Sequence, residues 1–289
     1  MSKSTVEWIV LPGEIAIVAT ETGQVWQLAL GSFGENSPFK KENSPFKKEM
    51  VGKGSAASTA ALLNQAIAAG FGRQEQDSAD EAISLPQYIY NLVGTYHNAR
   101  RTPENYLLAA KQMRALGRPE IASYLEMHAL EETGHDRLII KDLTALGLPA
   151  ERLVAGLIPD GVKILVEIFD SYSSADYPIG CIGYSYCFEY TAAMKPKSQV
   201  DAMQALCPPG IDASRFLRTH SCLGSEVGHV EDLVAFIAGL PARDRIDIAL
   251  AAYHTAKQTA LLRREVRKSD EAIIAQISAV AGTEIPLHA

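Results

Sequence analysis

The sequence predicts an all-α protein, a bundle of amphipathic helices preceded by a short β-prone extension. Three observations lead there. From about residue 56 onward, apolar residues recur at helical spacing almost without interruption. Breakers then divide that pattern into helix-length segments: RTP at 101–103, LGRP at 116–119, LGLP at 146–149, CPPG at 207–210 and GLP at 239–241. Runs with strand character are confined to the first 32 residues.

Taken in order, EWIVL, EIAIVA and QVWQLAL are short β-prone runs separated by Pro-Gly and Thr-Gly turn signals, enough for a small hairpin. ENSPFKK then occurs twice in tandem, from Glu35 to Lys48. Two short polar units containing proline cannot stack into a solenoid, so the repeat reads as a linker that grew by duplication. The chain thus divides into an extension with its linker, 1–50, and a helical domain, 51–289. Within the latter, helices are expected at 56–71, 84–100, 103–116, 118–146, 160–172, 178–195, 198–206, 212–239 and 243–280.

Composition narrows the function. The 289 residues, 47% of them apolar, suffice for a sizeable core. No run of 18 apolar residues suggests a membrane span, and MSKSTVEWIV lacks a basic segment followed by an apolar stretch of signal-peptide length, so a cytoplasmic protein is expected. A net charge of -7 repels a phosphate backbone and argues against nucleic acid as a partner. Cys181, Cys187, Cys207 and Cys222 form no C-x-x-C pair, which argues against structural zinc and a disulfide framework and makes them core residues. Walker A, G-x-G-x-x-G after a strand, G-x-S-x-G and H-E-x-x-H are all absent.

One stretch stands out. EMHALEETGHDRL, residues 126–138, loads two histidines and three glutamates onto what reads as an ordinary helix. On a regular helix His128, Glu132 and His135 fall within roughly 60° of one another, on the side that Leu125, Leu138 and Ile139 extend. Buried imidazoles and carboxylates need partners, and a metal ion is the strongest available. Glu132 and His135 form E-x-x-H, a spacing that helical di-metal proteins use to aim two side chains at one ion. With 21 glutamates and 7 histidines, chance supplies such a motif in about every second chain of this length. This chain has two, since Glu226 and His229 repeat the spacing in RTHSCLGSEVGHVEDL. Glu189 adds a third element, a carboxylate in the middle of the apolar and aromatic PIGCIGYSYCFEYTAAM, where a bridge between two ions would explain it. A meeting with an arginine or with the surrounding tyrosines would explain it equally. His220 offers a further nitrogen one segment before Glu226.

Read together, EETGHDRLIIKDLTALGL, GYSYCFEYTA and RTHSCLGSEVGHVEDL resemble the haem-oxygenase-like diiron oxidase family, in the manner of the chlamydial CADD-type proteins. The resemblance covers about residues 84–240. It implies a haem-oxygenase-like/TenA-like bundle of about seven core helices, two Fe(II)/Fe(III) ions, O2 as co-substrate and an external electron donor. Carried over by position, the ligands would be Glu132 and His135, then Glu189, then His220, Glu226 and His229, with His128 as an additional ligand or a supporting group. Glu132, His135 and Glu189 would be the catalytic core. The last motif departs from the family's H-x-x-x-D/E-x-x-H by two extra residues, which on a regular helix would put His220 about 180° from His229. Either Gly224 lets the helix bulge or break, or Cys222 occupies the first ligand's slot.

The implied activity is oxidation of a small amino-acid-like or fatty-acid-like molecule by N-oxygenation, desaturation or C–C cleavage, in a cytoplasmic homodimer. Tyr184, Tyr186, Phe188 and Tyr190 are candidates for the pocket wall or for the core. A ferritin-like diiron bundle would need a glutamate within QYIYNLVGTYHNARR, which has none. Two rivals stay open. One is a metal-independent thiaminase-like hydrolase or cofactorless oxidase, with Cys187 or Cys222 beside Glu189 or Glu226 as nucleophile and partner. The other is a non-enzymatic metal- or small-molecule-binding protein.

Overall fold

The computed structural model describes residues 6–12, 15–29, 53–77, 82–223 and 226–282; the ENSPFKK repeat lies outside the described residues. The three β-prone runs each form a strand: β1 (Val6–Leu11), β2 (Ile15–Thr20) and β3 (Val25–Ala29). They make an antiparallel meander, with Trp8 opposite Val18 and Val18 opposite Trp26. Gly23, at φ 80, makes the second turn at no steric cost. The rest is helical: α1 (Ala56–Asp77), α2 (Leu85–Ala115), α3 (Pro119–Glu132), α4 (His135–Ala145), α5 (Ala150–Gly156), α6 (Asp160–Ser173), α7 (Gly180–Ala193), α8 (Lys197–Ala205), α9 (Arg215–Thr219), α10 (Glu226–Gly239), α11 (Ala242–Val266) and α12 (Asp270–Ala281). Among the described residues, no helix is long and apolar enough to cross a membrane.

Several boundaries differ from expectation, each for a local reason. The segments 84–100 and 103–116 are one helix, α2, because Pro103 is absorbed without ending it; the Thr102 hydroxyl donates to the Asn98 carbonyl in the turn that Pro103 disturbs. A capping box starts α2: Ser84 Oγ accepts from the Gln87 N–H, and Gln87 Oε1 from the Ser84 N–H. The span 118–146 splits into α3 and α4 at Thr133–Gly134, where Gly134 takes φ 92. The spans 212–239 and 243–280 split likewise, into α9 with α10 and α11 with α12, and α5 is a helix that the periodicity does not announce.

Two apolar clusters share the interior. The larger joins the sheet to α1, α3, α7, α10 and α11; the second lies beneath α2, α4, α5 and α12. At the centre of the larger cluster α7 is apolar on every side and buried accordingly, which is how a polar residue on it comes to face the interior. It approaches α11 so closely that a Cβ on Gly183 would collide with the Ile248 carbonyl oxygen. The sheet is tied in by charge as well as packing. Glu7 and Arg245 are almost fully buried and form an ion pair, and Ser58 and Thr59 each donate a hydroxyl hydrogen bond to Glu7 Oε2, at 2.7 and 2.8 Å.

Candidate metal centre

Glu132 is the last residue of α3 and His135 the first of α4, so the E-x-x-H pair straddles a helix break. This corrects the expectation that His128, Glu132 and His135 stack on one regular helix. The break does not separate the pair: His135 Nδ1 lies 3.0 Å from Glu132 Oε2. Thr133 satisfies the end of α3 by donating its hydroxyl to the Ala129 carbonyl, and Gly134 adopts the left-handed conformation open to a residue without a Cβ.

His220 arrives from the opposite side of the chain. It caps α9 at φ -102, ψ 61, after which the backbone leaves the helix and α10 begins only at Glu226. The helix therefore breaks between His220 and His229, and His220 comes to the pair, with Nε2 3.0 Å from His135 Nδ1 and 4.0 Å from Glu132 Oε2. Gly224 lies outside the described residues. Donor atoms of Glu132, His135 and His220 all fall within 4.8 Å of one another, the one such group among the described residues.

Burial acts to raise the Glu132 carboxyl, but the hydrogen bond with His135 and the neighbouring His220, His135 and His128 outweigh it and hold the group below the ordinary glutamate range. Glu132 is thus kept as a carboxylate, which a metal ligand must be.

His128 and Glu189 meet separately. His128, one turn before Glu132 and 6% exposed, has Nδ1 3.5 Å from Glu189 Oε1 and 3.4 Å from Glu131 Oε2. Glu189, from α7, accepts a 2.7 Å hydrogen bond from Ser185 one turn earlier. His128 and Ser185 lie against Glu189, and the buried phenols of Tyr106, Tyr124 and Tyr186 are close enough to feel its charge, so tyrosines do surround it. His229, half-buried on α10, places its ring 6.4 Å from that of His128. Glu226 opens α10, and its side chain lies outside the described residues.

Sequence reasoning missed several neighbours. Tyr124 packs on His128 with ring centroids 4.3 Å apart and stacks on Phe236, and Tyr106 packs on both His128 and Phe169. Burial, with the Glu189 charge second, pushes both phenols well above their ordinary range, so they stay protonated. Ser185 carried a signal, being four residues before Glu189; the two tyrosines carried none. Among the aromatic candidates, Tyr184 and Phe188 line the adjoining cavity, Tyr190 lines a second one, and Tyr186 is core, donating to Asn64 at 2.6 Å.

Asp142 was missed as well. Fully buried on α4, it accepts from the backbone N–H of Arg215 and of Phe216 and pairs with the Arg215 guanidinium at 3.0 Å. It thereby anchors the start of α9, whose other end presents His220. Asp142→Ala is expected to destabilise the fold by about 3 kcal/mol, since it strips a buried partner from a charge and two backbone donors. The check is the urea midpoint; an unchanged midpoint would remove Asp142 from this role.

A cavity of about 310 Å³ adjoins the centre; its wall includes Glu132, Glu189 and His220, the apolar Leu92, Val162, Leu165, Phe188 and Leu262, and the polar Thr95, Asn98 and Thr102. A partly open, largely apolar chamber with a few polar groups in its wall is a usual form of small-molecule site.

No family model and no curated protein matches the chain. Solved structures do. A domain of unknown function with a heme oxygenase-like fold from Shewanella denitrificans is 17% identical with TM-score 0.58, over 80% of this chain and 94% of that one. A TenA homologue from Pseudomonas syringae pv. tomato is 12% identical with TM-score 0.55, over 74% and 93%. A CADD-like protein of unknown function from Nostoc punctiforme is 17% identical with TM-score 0.53, over 76% and 96%. At these identities what is shared is the fold.

Proposed function

We propose that this haem-oxygenase-like bundle is a non-haem diiron oxidase, which uses O2 and an external electron donor to oxidise a small amino-acid-like or fatty-acid-like substrate. The observation that carries the reading is the convergence of Glu132, His135 and His220, from α3, α4 and the end of α9, with donor atoms within 4.8 Å. One carboxylate and two imidazoles suit ferrous iron better than they suit calcium or a thiolate-seeking metal. His128, Glu189, His229 and Glu226 are the proposed donors for a second ion, with Glu189 as the carboxylate between the two.

Bound iron would supply the electrons that O2 needs to react with a closed-shell organic molecule. The chain's own residues hold and shape the site. Glu132 keeps its charge, Ser185 orients Glu189, and a largely apolar chamber beside them offers room for a small substrate. The rival hydrolase reading needs a thiolate. Cys187, one of its two candidate nucleophiles, is 1% exposed and burial pushes its thiol up to about 12, which suppresses it; Cys222, the other, is half-buried.

Anaerobic titration with ferrous iron tests the proposal. The expected result is uptake of two irons per chain with a Mössbauer spectrum of high-spin Fe(II) in oxygen and nitrogen ligation, followed by O2 consumption on admission of air. Failure to retain iron after desalting would overturn it.

A further inference from the structure

Asparagine and threonine recur in register on one face of α2. Asn91 with Thr95, and Asn98 with Thr102, make the same pair one heptad apart, about 10.5 Å of helical rise, and all four line the 310 Å³ chamber. In each pair the threonine hydroxyl donates to the backbone carbonyl of its own asparagine, at 2.8 Å for Thr95 and 2.9 Å for Thr102. That bond anchors the threonine oxygen on the turn that carries the asparagine amide.

The inner pair is fixed at both ends. The Tyr184 phenol, which burial holds protonated, donates to Asn98 Oδ1. The side-chain amide is thereby oriented, with Nδ2 as its remaining end, and Nδ2 makes no hydrogen bond to the described residues. It can only donate. Thr102 Oγ1, with its one proton committed to the Asn98 carbonyl, can only accept. Other hydroxyls in the wall are committed in the same way: Thr191 and Thr259 donate to the Cys187 and Thr255 carbonyls, both at 2.8 Å, and Ser185 donates to Glu189 at 2.7 Å. Lys195 and Arg263, which also line the chamber, already have partners.

We propose that Asn98 and Thr102 form a recognition site for an uncharged group that both accepts and donates, a primary carboxamide, on the part of a ligand that lies in the chamber. Its carbonyl oxygen accepts from Asn98 Nδ2 and its N–H donates to Thr102 Oγ1. Side chains at this i, i+4 spacing are neighbours, so one small planar group can reach both. A carboxylate in the same place would have no proton for Thr102 and would share the wall with Glu132, which keeps its charge. A ketone would satisfy Asn98 alone.

The recognition site stands without the metal. Asn98 lies two turns before Tyr106 on α2, and Tyr106 packs on His128 beside the centre, so the atoms presented to the centre are remote from the recognised group. Only the consequence that those remote atoms are the ones oxidised rests on the oxidase reading.

The experiment uses chelator-treated, metal-free full-length protein and measures binding of octanamide, nonan-2-one and octanoate by calorimetry. The three have the same number of non-hydrogen atoms and differ only in what the end group can donate or accept. Octanamide is expected to bind about tenfold tighter than either of the others, the scale of one hydrogen bond. A wall indifferent to donors would favour the ketone, the least polar of the three. Thr102→Val should remove most of the preference for amide over ketone while leaving the ketone within about twofold, whereas Thr102→Ser and Thr95→Val should retain it. Asn98→Leu should lower octanamide affinity about tenfold. Near-UV circular dichroism of each variant confirms the fold. Ketone or acid binding as tightly as the amide would overturn the proposal, as would a preference that depends on Thr95 and not on Thr102. No amide preference in a protein that takes up two irons would overturn the recognition site and leave the oxidase standing. An amide preference lost with Thr102→Val, in a protein that never retains iron, would do the reverse.

Discussion

Alanine in place of His135 is expected to lower iron affinity by at least about a hundredfold, with Glu132→Ala matching it. Removing a group that merely orients a ligand commonly costs 10- to 100-fold, so removing a ligand itself sets a floor near the top of that range. His135 is the hub of the three-donor group, 3.0 Å from both Glu132 Oε2 and His220 Nε2, and nothing among the described residues lies placed to replace its nitrogen. The fold should scarcely notice. The side chain is 21% exposed at the first position of α4, where truncation leaves no large void. Iron content after desalting, read beside the thermal midpoint, separates the two effects. His97→Ala is the control, because His97 bonds to the Leu157 carbonyl away from this group. Iron retention by His135→Ala equal to that of the parent protein would end the metal reading of these residues.

The second large effect concerns stability. Glu7→Ala is expected to cost about 3–5 kcal/mol, because it removes the carboxylate that pairs with the Arg245 guanidinium, 2% exposed, takes the acceptor from Thr59 and leaves Ser58 only the Ser55 carbonyl. Replacing both ends by apolar residues, Glu7→Leu with Arg245→Met, should recover most of the loss, since well-packed hydrophobic pairs often equal buried ion pairs. Urea midpoints for the two single variants and the double variant form the cycle. A loss below about 1 kcal/mol for Glu7→Ala would mean that packing alone holds the sheet to α1 and α11.

The helical class and the three strand-forming runs are legible because they depend on periodicity and turn residues, which are local. Helix ends are less so. The Thr-Gly at 22–23 reads as a turn between two strand-like runs, yet the same dipeptide at 133–134 is hidden within a strongly periodic stretch, and there it ends α3. Pro103 misleads in the opposite direction, since the α2 pattern is continuous on both sides and tertiary packing outweighs one missing N–H. At the site, Glu132, His135 and Glu189 are legible as polar groups in apolar surroundings. How His220 joins them is not, because it depends on where a helix stops and on Asp142, 73 residues before Arg215 in the chain, anchoring that helix.

The break at His220 has a consequence in polymer terms. His135 and His220 are separated by 85 positions, and an unfolded chain must close that loop before one ion can touch both. For a loop of this length, the length-dependent chain entropy amounts to about 4 kcal/mol. The folded chain has already met that cost through packing, so an ion needing all three donors distinguishes the folded chain from the unfolded one by at least this margin. Metal supply and protein lifetime would then be coupled through mass action, each tenfold rise in free ion above its dissociation constant adding about 1.4 kcal/mol to the folded state.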